Sequence, residues 1–403
     1  MLLQQGVKRR RFAGVLMACA IAACGVSGAA MSGAALAANT TASEPGVTAD
    51  TILLGQSAAL TGPTAVLGKQ MNAGARLYFD FINKQGGVFG RKIELKALDD
   101  AYEPDDAIKN TKKLLEQDHV FALFGYIGTP TSQAVLPLVN QARVPFFAPF
   151  TGAQSLRDPL SRYVFHVRAG YDEETAAIVR QIHTTGLKRI AVVYNDDAYG
   201  RAGIAGIEQA IKALPADSGV KLVAQENVIR NTVEIGDAMQ TSMKAKPDAI
   251  VMISAYRTVG SFVKEALRRG YSGQFYNVSF VGTQALAREV GPQGSGVIIS
   301  QVMPHPGNAT LPVVREYLRL LQAAGKQNEF DYASIEGFIA AKAFVEGLRR
   351  AGKDLTRERL VTALESMRNV DLGGFIVQFG PDNHVGSKFV EMTIINSRGV
   401  VIR

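Results

Sequence analysis

The stretch Phe121–Val135, FALFGYIGTPTSQAV, decides the fold class. With Val120 before it, it opens as a continuous apolar run to Phe124, the pattern of a strand buried on both faces. At Gly125 it breaks into glycine, hydroxyls and Pro130, and from there it reads as the start of a helix. No Asp, Glu, Lys, Arg or His occurs in it. It is one strand–turn–helix unit whose turn offers neither an acid, a base nor a metal ligand.

Outward from this stretch the same unit repeats. Upstream, Thr51–Ala58 is strand-like, and Leu67, Met71, Ala75, Tyr78 and Ile82 recur at helical spacing. Gly86 and Gly87 then suit a left-handed helix stop. Residues 93–98 predict a second strand, and Pro104 with Asp105 and Asp106 opens the next helix, proline fitting the first turn and the acids complementing the dipole. Residues 144–149 predict a fourth strand. From Asp172 the alternation restarts: helix 173–185, an apolar strand IAVVY, helix 200–213, strand 220–228, helix 235–245, strand AIVMI, helix 257–269, and strands 274–280 and VIIS. Helices are expected again at 309–324, 332–350 and 355–367, and the tail from Phe375 reads as strands around the turn GPDNHVG. Alternation on this scale predicts an α/β fold of doubly wound parallel sheets, and two sets predict two lobes.

The 403 residues suffice for two such domains. The N-terminus reads as an export leader (1–38) followed by a polar linker (39–47). Lys8 and Arg9–Arg11 form its basic region, Phe12–Cys24 carries no charge, and Ala35-Leu36-Ala37 is a small-x-small cleavage pattern, with the cut after Ala37 or Ala38. Arg9-Arg10-Arg11-Phe12 also resembles a twin-arginine signal, and Ile21–Cys24 a lipoprotein box that would anchor the protein through Cys24. Both cysteines, Cys19 and Cys24, lie in the leader, so the mature chain is expected to have no thiol chemistry. The leader carries four of the 44 Lys and Arg and none of the 36 Asp and Glu, so its removal takes the formal net charge from +8 to +4. The pairs Arg268-Arg269 and Arg349-Arg350 sit near helix ends, where they complement the dipole; nucleic acid is not an expected partner.

In doubly wound sheets ligands bind beyond the carboxyl ends of strands. Those ends carry SAALTGPTAVLG, GYIGTPTS and APFTGAQS in the first set, and YNDDAYG, SAYRTVG and SFVGTQ in the second. Glycine-flanked N–H groups and hydroxyls such as Thr129 and Thr131 can hold an anion without a cationic side chain, because free helix N–H groups and the dipole favour negative charge. Thr129 or Ser132 is equally suited to capping its own helix, and the two roles are compatible. Tyr199 and Tyr256 would give the second lobe apolar walls with a polar handle. No G-x-S-x-G elbow and no phosphate-binding G-x-x-x-x-G-K-[ST] occurs, and His119, His166, His183, His305 and His384 show no paired metal spacing. Asp99-Asp100 and Asp196-Asp197 are read as turn and cap residues. No catalytic residue, metal or cofactor is expected.

The segment LLGQSAALTGPTAVLGKQMNAGARLYFDFINKQGGVFGRKIELKALDDAYEPDDAI, with GYIGTPTSQAV, KRIAVVYNDDAYG and DAIVMISAYRTVGSFVKEALRRGY in the same order, resembles the periplasmic leucine/isoleucine/valine-binding proteins. These are type I solute-binding proteins of ATP-driven amino-acid importers. The resemblance covers essentially the whole mature chain. It implies two lobes joined by three crossovers, with residues 48–168 and 305–372 in the N-terminal lobe and 169–304 and 373–403 in the C-terminal lobe. It implies a hinged, non-enzymatic, monomeric trap that delivers a branched-chain or related amino acid, or a similar small carboxylate, to an inner-membrane ABC permease. A periplasmic sensory protein for a non-amino acid or amide is the alternative. Carried over residue by residue, the ligand carboxylate falls to Thr129, Thr131 and the backbone of Phe150, Thr151 and Gly152, and the aromatic walls to Tyr199 and Tyr256. Ser279 stands where the leucine-type proteins have the acid that binds the ligand ammonium, and Leu67 where a tyrosine is common; Asp197 and Glu336 are the candidates to replace that acid, with no spacing that places either in the cleft.

Overall fold

Strand position follows from the apolar runs. In the computed structural model, which describes residues 44–403, every residue of AIVMI is buried at the centre of a sheet, as a strand covered by helices on both faces requires. The expected leader (1–38), its cleavage and lipidation features and most of the linker (39–47) lie outside the described residues.

Among the described residues the first sheet contains β1 (Thr51–Ala58), β2 (Lys92–Asp99), β3 (Ala122–Phe124), β4 (Phe146–Phe147) and β5 (Val164–Phe165), in the order β2-β1-β3-β4-β5, all parallel. The second contains β6 (Arg189–Asn195), β7 (Lys221–Val228), β8 (Ala249–Ile253), β9 (Gln274–Asn277) and β10 (Ile298–Gln301). A small hairpin, β11 (Val370–Asp371) and β12 (Ile376–Val377), precedes β13 (Glu391–Ile395) and β14 (Val401–Ile402), which complete the second sheet in the order β14-β13-β10-β9-β8-β6-β7. Helices connect the parallel strands, so the doubly wound α/β architecture is present in both sheets. The two-residue β5 has too short an apolar run to show as a strand, and β13 and β14 pair antiparallel with β10 and with each other, closing that edge of an otherwise parallel sheet.

Two differences from the sequence reading and one expected helix shape the cleft. The strand expected at 274–280 stops at Asn277, and Ser279–Val281 forms a tight turn ending at Gly282, whose φ is 81°. That turn lifts Phe280 out of the sheet. The segment after β12 stays with the first sheet: Phe379 packs on Phe147 and Phe165, the His384 ring stacks on Phe165 at 3.8 Å, and Gly386 N–H donates to His166 C=O. The last passage to the second sheet therefore falls between Gly386 and Glu391, beyond the expected 373. Finally, the helix Tyr332–Ala351, which follows the second passage, is buried along most of its length and packs on the helix Ala65–Lys84, with the Tyr78 and Phe338 rings edge to face at 5.1 Å. Its first turn points back at the cleft.

Candidate functional site

The carboxyl ends of the two sheets face each other. On the first sheet, pairing continues past β3 and β4: Phe150 N–H donates to Tyr126 C=O (2.7 Å) and Gly128 N–H to Phe150 C=O (3.1 Å). This lays the two hydroxyl-rich turns side by side and brings Thr129 Oγ1 to 2.6 Å from Thr151 Oγ1. Neither hydroxyl caps a helix: the helix Thr129–Ala142 has Gly128 at its N-cap and no side-chain cap. Gly128 is required there, since its φ of 91° and ψ of 165° suit glycine and a Cβ would lie 2.0 Å from the Tyr102 ring. Gly152 is required by close approach, a Cβ there meeting Tyr171 Cδ1 at 2.5 Å, while its carbonyl accepts the Tyr171 N–H at 2.7 Å.

From the second sheet come the starts of two helices. Tyr171 opens the helix Tyr171–Thr184, and Tyr199 lies in the first turn of Ala198–Lys212, whose N-cap is Asp197. Their rings lie 5.3 Å apart, and Tyr199 and Tyr102 both pack on Phe280, at 4.7 and 5.9 Å. Phe280 also reaches Phe150 at 5.6 Å, so one side chain touches both lobes. The hydroxyls of Tyr102, Tyr171 and Tyr199 are fully buried; those of Tyr102 and Tyr199 have no hydrogen-bond partner, and that of Tyr171 faces the Thr151 side chain. Burial raises all three phenol pKa values, that of Tyr171 to about 12, so each remains a neutral O–H donor. Buried hydroxyls without partners are costly, and the three phenols stand near the Thr129–Thr151 pair. The arrangement is a set of buried hydroxyl donors at the facing strand ends.

Behind Phe150 lies a buried ionic network. The Arg168 guanidinium sits 5.0 Å from the Phe150 ring centre and donates to Glu174 Oε1 (3.0 Å), to Ser279 Oγ and, at 3.5 Å, to Glu336 Oε1. Glu174 is fully satisfied, accepting also from Ser279 N–H (2.7 Å), Ser279 Oγ (3.0 Å) and Ser300 Oγ (2.6 Å). Burial opposes the Arg168 charge, but Glu336 and Glu174 outweigh it and hold its pKa above the ordinary value. Glu336 is pushed up to about 7 by burial, against the pull of Arg168. A cavity of about 10 Å³, room for one water-sized group, adjoins Phe150, Ser279, Gln301, Tyr332 and Glu336.

The expected site residues divide. Thr129, Phe150, Thr151, Gly152 and Tyr199 are brought together. Thr131 is not available as a donor to a ligand: its hydroxyl donates back to the carbonyls of Ile127 and Gly128 (3.1 Å to the latter) in its own turn. Ser279 donates its proton to Glu174. Tyr256, at the start of Tyr256–Arg268, stands against the backbone of Val66 and close to Gly282, apart from the hydroxyl group. Tyr102, Arg168, Tyr171, Glu174 and Phe280 were missed, whereas Glu336 was one of the two acids expected as a stand-in for the one absent at Ser279. One signal existed: Arg168 is a charge inside the otherwise uncharged stretch YVFHVRAGY, just before the first passage between sheets. Among the described residues no three His, Cys, Asp or Glu side chains converge as metal ligands would.

Two α/β sheets with facing strand ends, crossed three times by the chain and closing over buried, partnerless donors, define a protein that encloses a small ligand. The sequence pattern of the periplasmic binding protein family matches residues 51–398, and the chain belongs to that family. Its role is that of a substrate-binding protein. A Leu/Ile/Val-binding protein of Rhizobium johnstonii is 24% identical over 343 residues, 84% of this chain and 89% of that relative. The crystal structure of a substrate-binding periplasmic protein from Ralstonia solanacearum is 33% identical with a TM-score of 0.81, covering 87% of this chain and 99% of that one. That of a possible leucine/isoleucine/valine-binding protein from Rhodopirellula baltica is 31% identical with a TM-score of 0.81, covering 87% and 95%.

Proposed function

We propose that this protein, a non-enzymatic receptor acting as a monomer in the periplasm, captures a small carboxylate-bearing nutrient, a branched-chain or related amino acid, and hands it to an inner-membrane ABC permease. The observation that supports the reading is the grouping of the buried Tyr102, Tyr171 and Tyr199 side chains, two of their hydroxyls unpartnered and that of Tyr171 facing Thr151, beside the Thr129–Thr151 pair. A carboxylate accepts up to four hydrogen bonds and would satisfy them together. Neutral donors suit cargo that must be released, since they hold an anion without a permanent ion pair. The apolar faces of Phe150 and Phe280 suit an aliphatic body. The names of the relatives support the branched-chain assignment. A thermal-shift screen tests it, because a ligand at 100 times its Kd stabilises by about 2.7 kcal/mol. The panel sets each aliphatic amino acid beside its deaminated acid, leucine beside 4-methylpentanoate. A shift with members of this panel is expected; a flat response to all of them would overturn the reading.

A further inference from the structure

Phe280 stands past the carboxyl end of β9, in the turn Ser279–Val281, and not within either sheet. A core phenylalanine packs inside one lobe; this one is buried between two. Its ring meets Tyr199 of the second lobe at 4.7 Å, and Phe150 and Tyr102 of the first at 5.6 and 5.9 Å. The same three side chains border the hydroxyl site. Phe150 precedes Thr151, Tyr102 lies against Gly128, which precedes Thr129, and Tyr199 carries one of the free hydroxyls. A ligand whose carboxylate is held by the hydroxyls therefore brings its body against the Phe280 ring.

The turn is fixed on both sides of that ring. Before it, Glu174 accepts the Ser279 N–H (2.7 Å) and hydroxyl (3.0 Å), and is itself held by Arg168 (3.0 Å) and Ser300 (2.6 Å). After it, Val281 N–H donates to Val278 C=O (3.0 Å). Gly282, at a φ of 81°, comes so near the first lobe that a Cβ would lie 2.8 Å from Leu67 Cδ2. A ring on a pinned backbone among three other rings cannot swing away without moving them. Nor is there spare room beside it. The cavity adjoining Phe150, Ser279 and Gly282 measures about 10 Å³, whereas a dry cavity of about 150 Å³ takes a benzene ring. A ligand body laid beside Phe280 is accommodated by parting the lobes, so its bulk decides how far they close again.

We infer that Phe280 is the specificity-determining residue of the cleft: from the second lobe it takes up the room that a ring on the ligand would need, so that compact aliphatic acids are enclosed and aryl acids are turned away. The inference rests on the carboxylate site proposed above, and it holds whether or not the ligand carries an ammonium group. Overfilling a packed interior is costly, and removing a buried ring leaves a hole of matching shape. Truncation of Phe280 is therefore expected to exchange one preference for the other, which loss of a lobe-to-lobe contact alone would not do.

Titration calorimetry with two size pairs tests this: leucine against phenylalanine, and 4-methylpentanoate against 3-phenylpropanoate. The wild type should favour the aliphatic member of whichever pair it binds by about tenfold or more. In Phe280→Ala that ratio should fall by about tenfold or more, the aryl member gaining affinity while the aliphatic one loses a contact. Phe280→Leu, which keeps most of the volume, should move the ratio in the same direction by about two- to fivefold, and serves if the alanine variant fails to fold. Equal weakening of both members in Phe280→Ala would make Phe280 a closure contact only and overturn the inference. So would a wild type that binds the aryl member as tightly as the aliphatic one, a result that needs no variant. Either outcome leaves the carboxylate site in place; binding of none of the four compounds overturns both.

Discussion

Thr129 and Thr151 bring two hydroxyl protons to one short contact, which uses one of them; Thr151 Oγ1 also accepts the Ala153 N–H (3.2 Å). The remaining proton can be donated outward to a ligand oxygen. Thr129→Val should therefore weaken carboxylate binding by about 1–3 kcal/mol, the loss of one donor to a buried charge, and leave melting nearly unchanged. A large fall in melting temperature with unaltered affinity would make the pair a packing device. Glu336 gives a pH prediction. Its folded pKa, raised by burial to about 7, means that the native state holds a proton that the unfolded chain has released. The stability it contributes is thus full at low pH and is lost as pH rises through about 7. Asp100, pushed up to about 6 by burial, acts in the same direction, and buried His166, held well below its ordinary value, acts oppositely. The difference in melting temperature between Glu336→Gln and wild type isolates the first group and should rise from about pH 5 to about pH 8. A flat difference would show that Glu336 is charged and fully compensated throughout.

At the scale of elements, the turn after β3 positions the site by its backbone. Gly128 lets the Tyr102 ring lie against it, and Tyr102 itself sits at a φ of 67°, outside the region most residues adopt. Asp100 holds that conformation, accepting the Tyr102 N–H (2.9 Å) and the Ser57 hydroxyl (2.7 Å). Gly128→Ala should cost about 1–3 kcal/mol in stability and displace Tyr102, lowering ligand affinity as well. Unchanged melting and affinity would show that the turn relaxes without cost. The βα pattern of this turn was legible in FGYIGTPTS. Which hydroxyl faces the ligand was not: Thr129 and Thr131 differ by two places on one helix, and the second turns back onto Ile127. Hydroxyl direction depends on the φ, ψ of Gly128 and on the neighbouring turn, neither of which is written in the residue types.

Over the whole molecule the lobes touch through few groups. Glu103 accepts from Arg230 (2.5 Å) and Asn231 (2.8 Å), Arg230 also lies 5.7 Å from the Tyr102 ring centre, and Tyr332 N–H donates to Gln284 (3.1 Å). With Phe280 wedged between Phe150 and Tyr199, these contacts belong to the closed arrangement. A ligand touching both lobes should shift the population toward it, and small-angle scattering should report a more compact particle at saturating ligand. Glu103→Gln, which weakens a half-exposed ion pair, should lower affinity by about two- to fivefold and reduce its salt dependence. Identical scattering profiles with and without ligand would sink the hinge account.

The alternating fold, its two sets of strands and the hydroxyl-rich strand ends were determined by the sequence alone, because apolar periodicity, glycine and proline placement and helix starts are local properties. The tertiary structure decided what those strand ends become. Tyr102, Arg168, Phe280 and Glu336 come from four distant segments and meet only because the chain passes between the lobes three times. What Ser279 does was undecidable at its own position: its partner Glu174 stands 105 residues earlier in the chain, and electrostatic balance is a sum over neighbours in space.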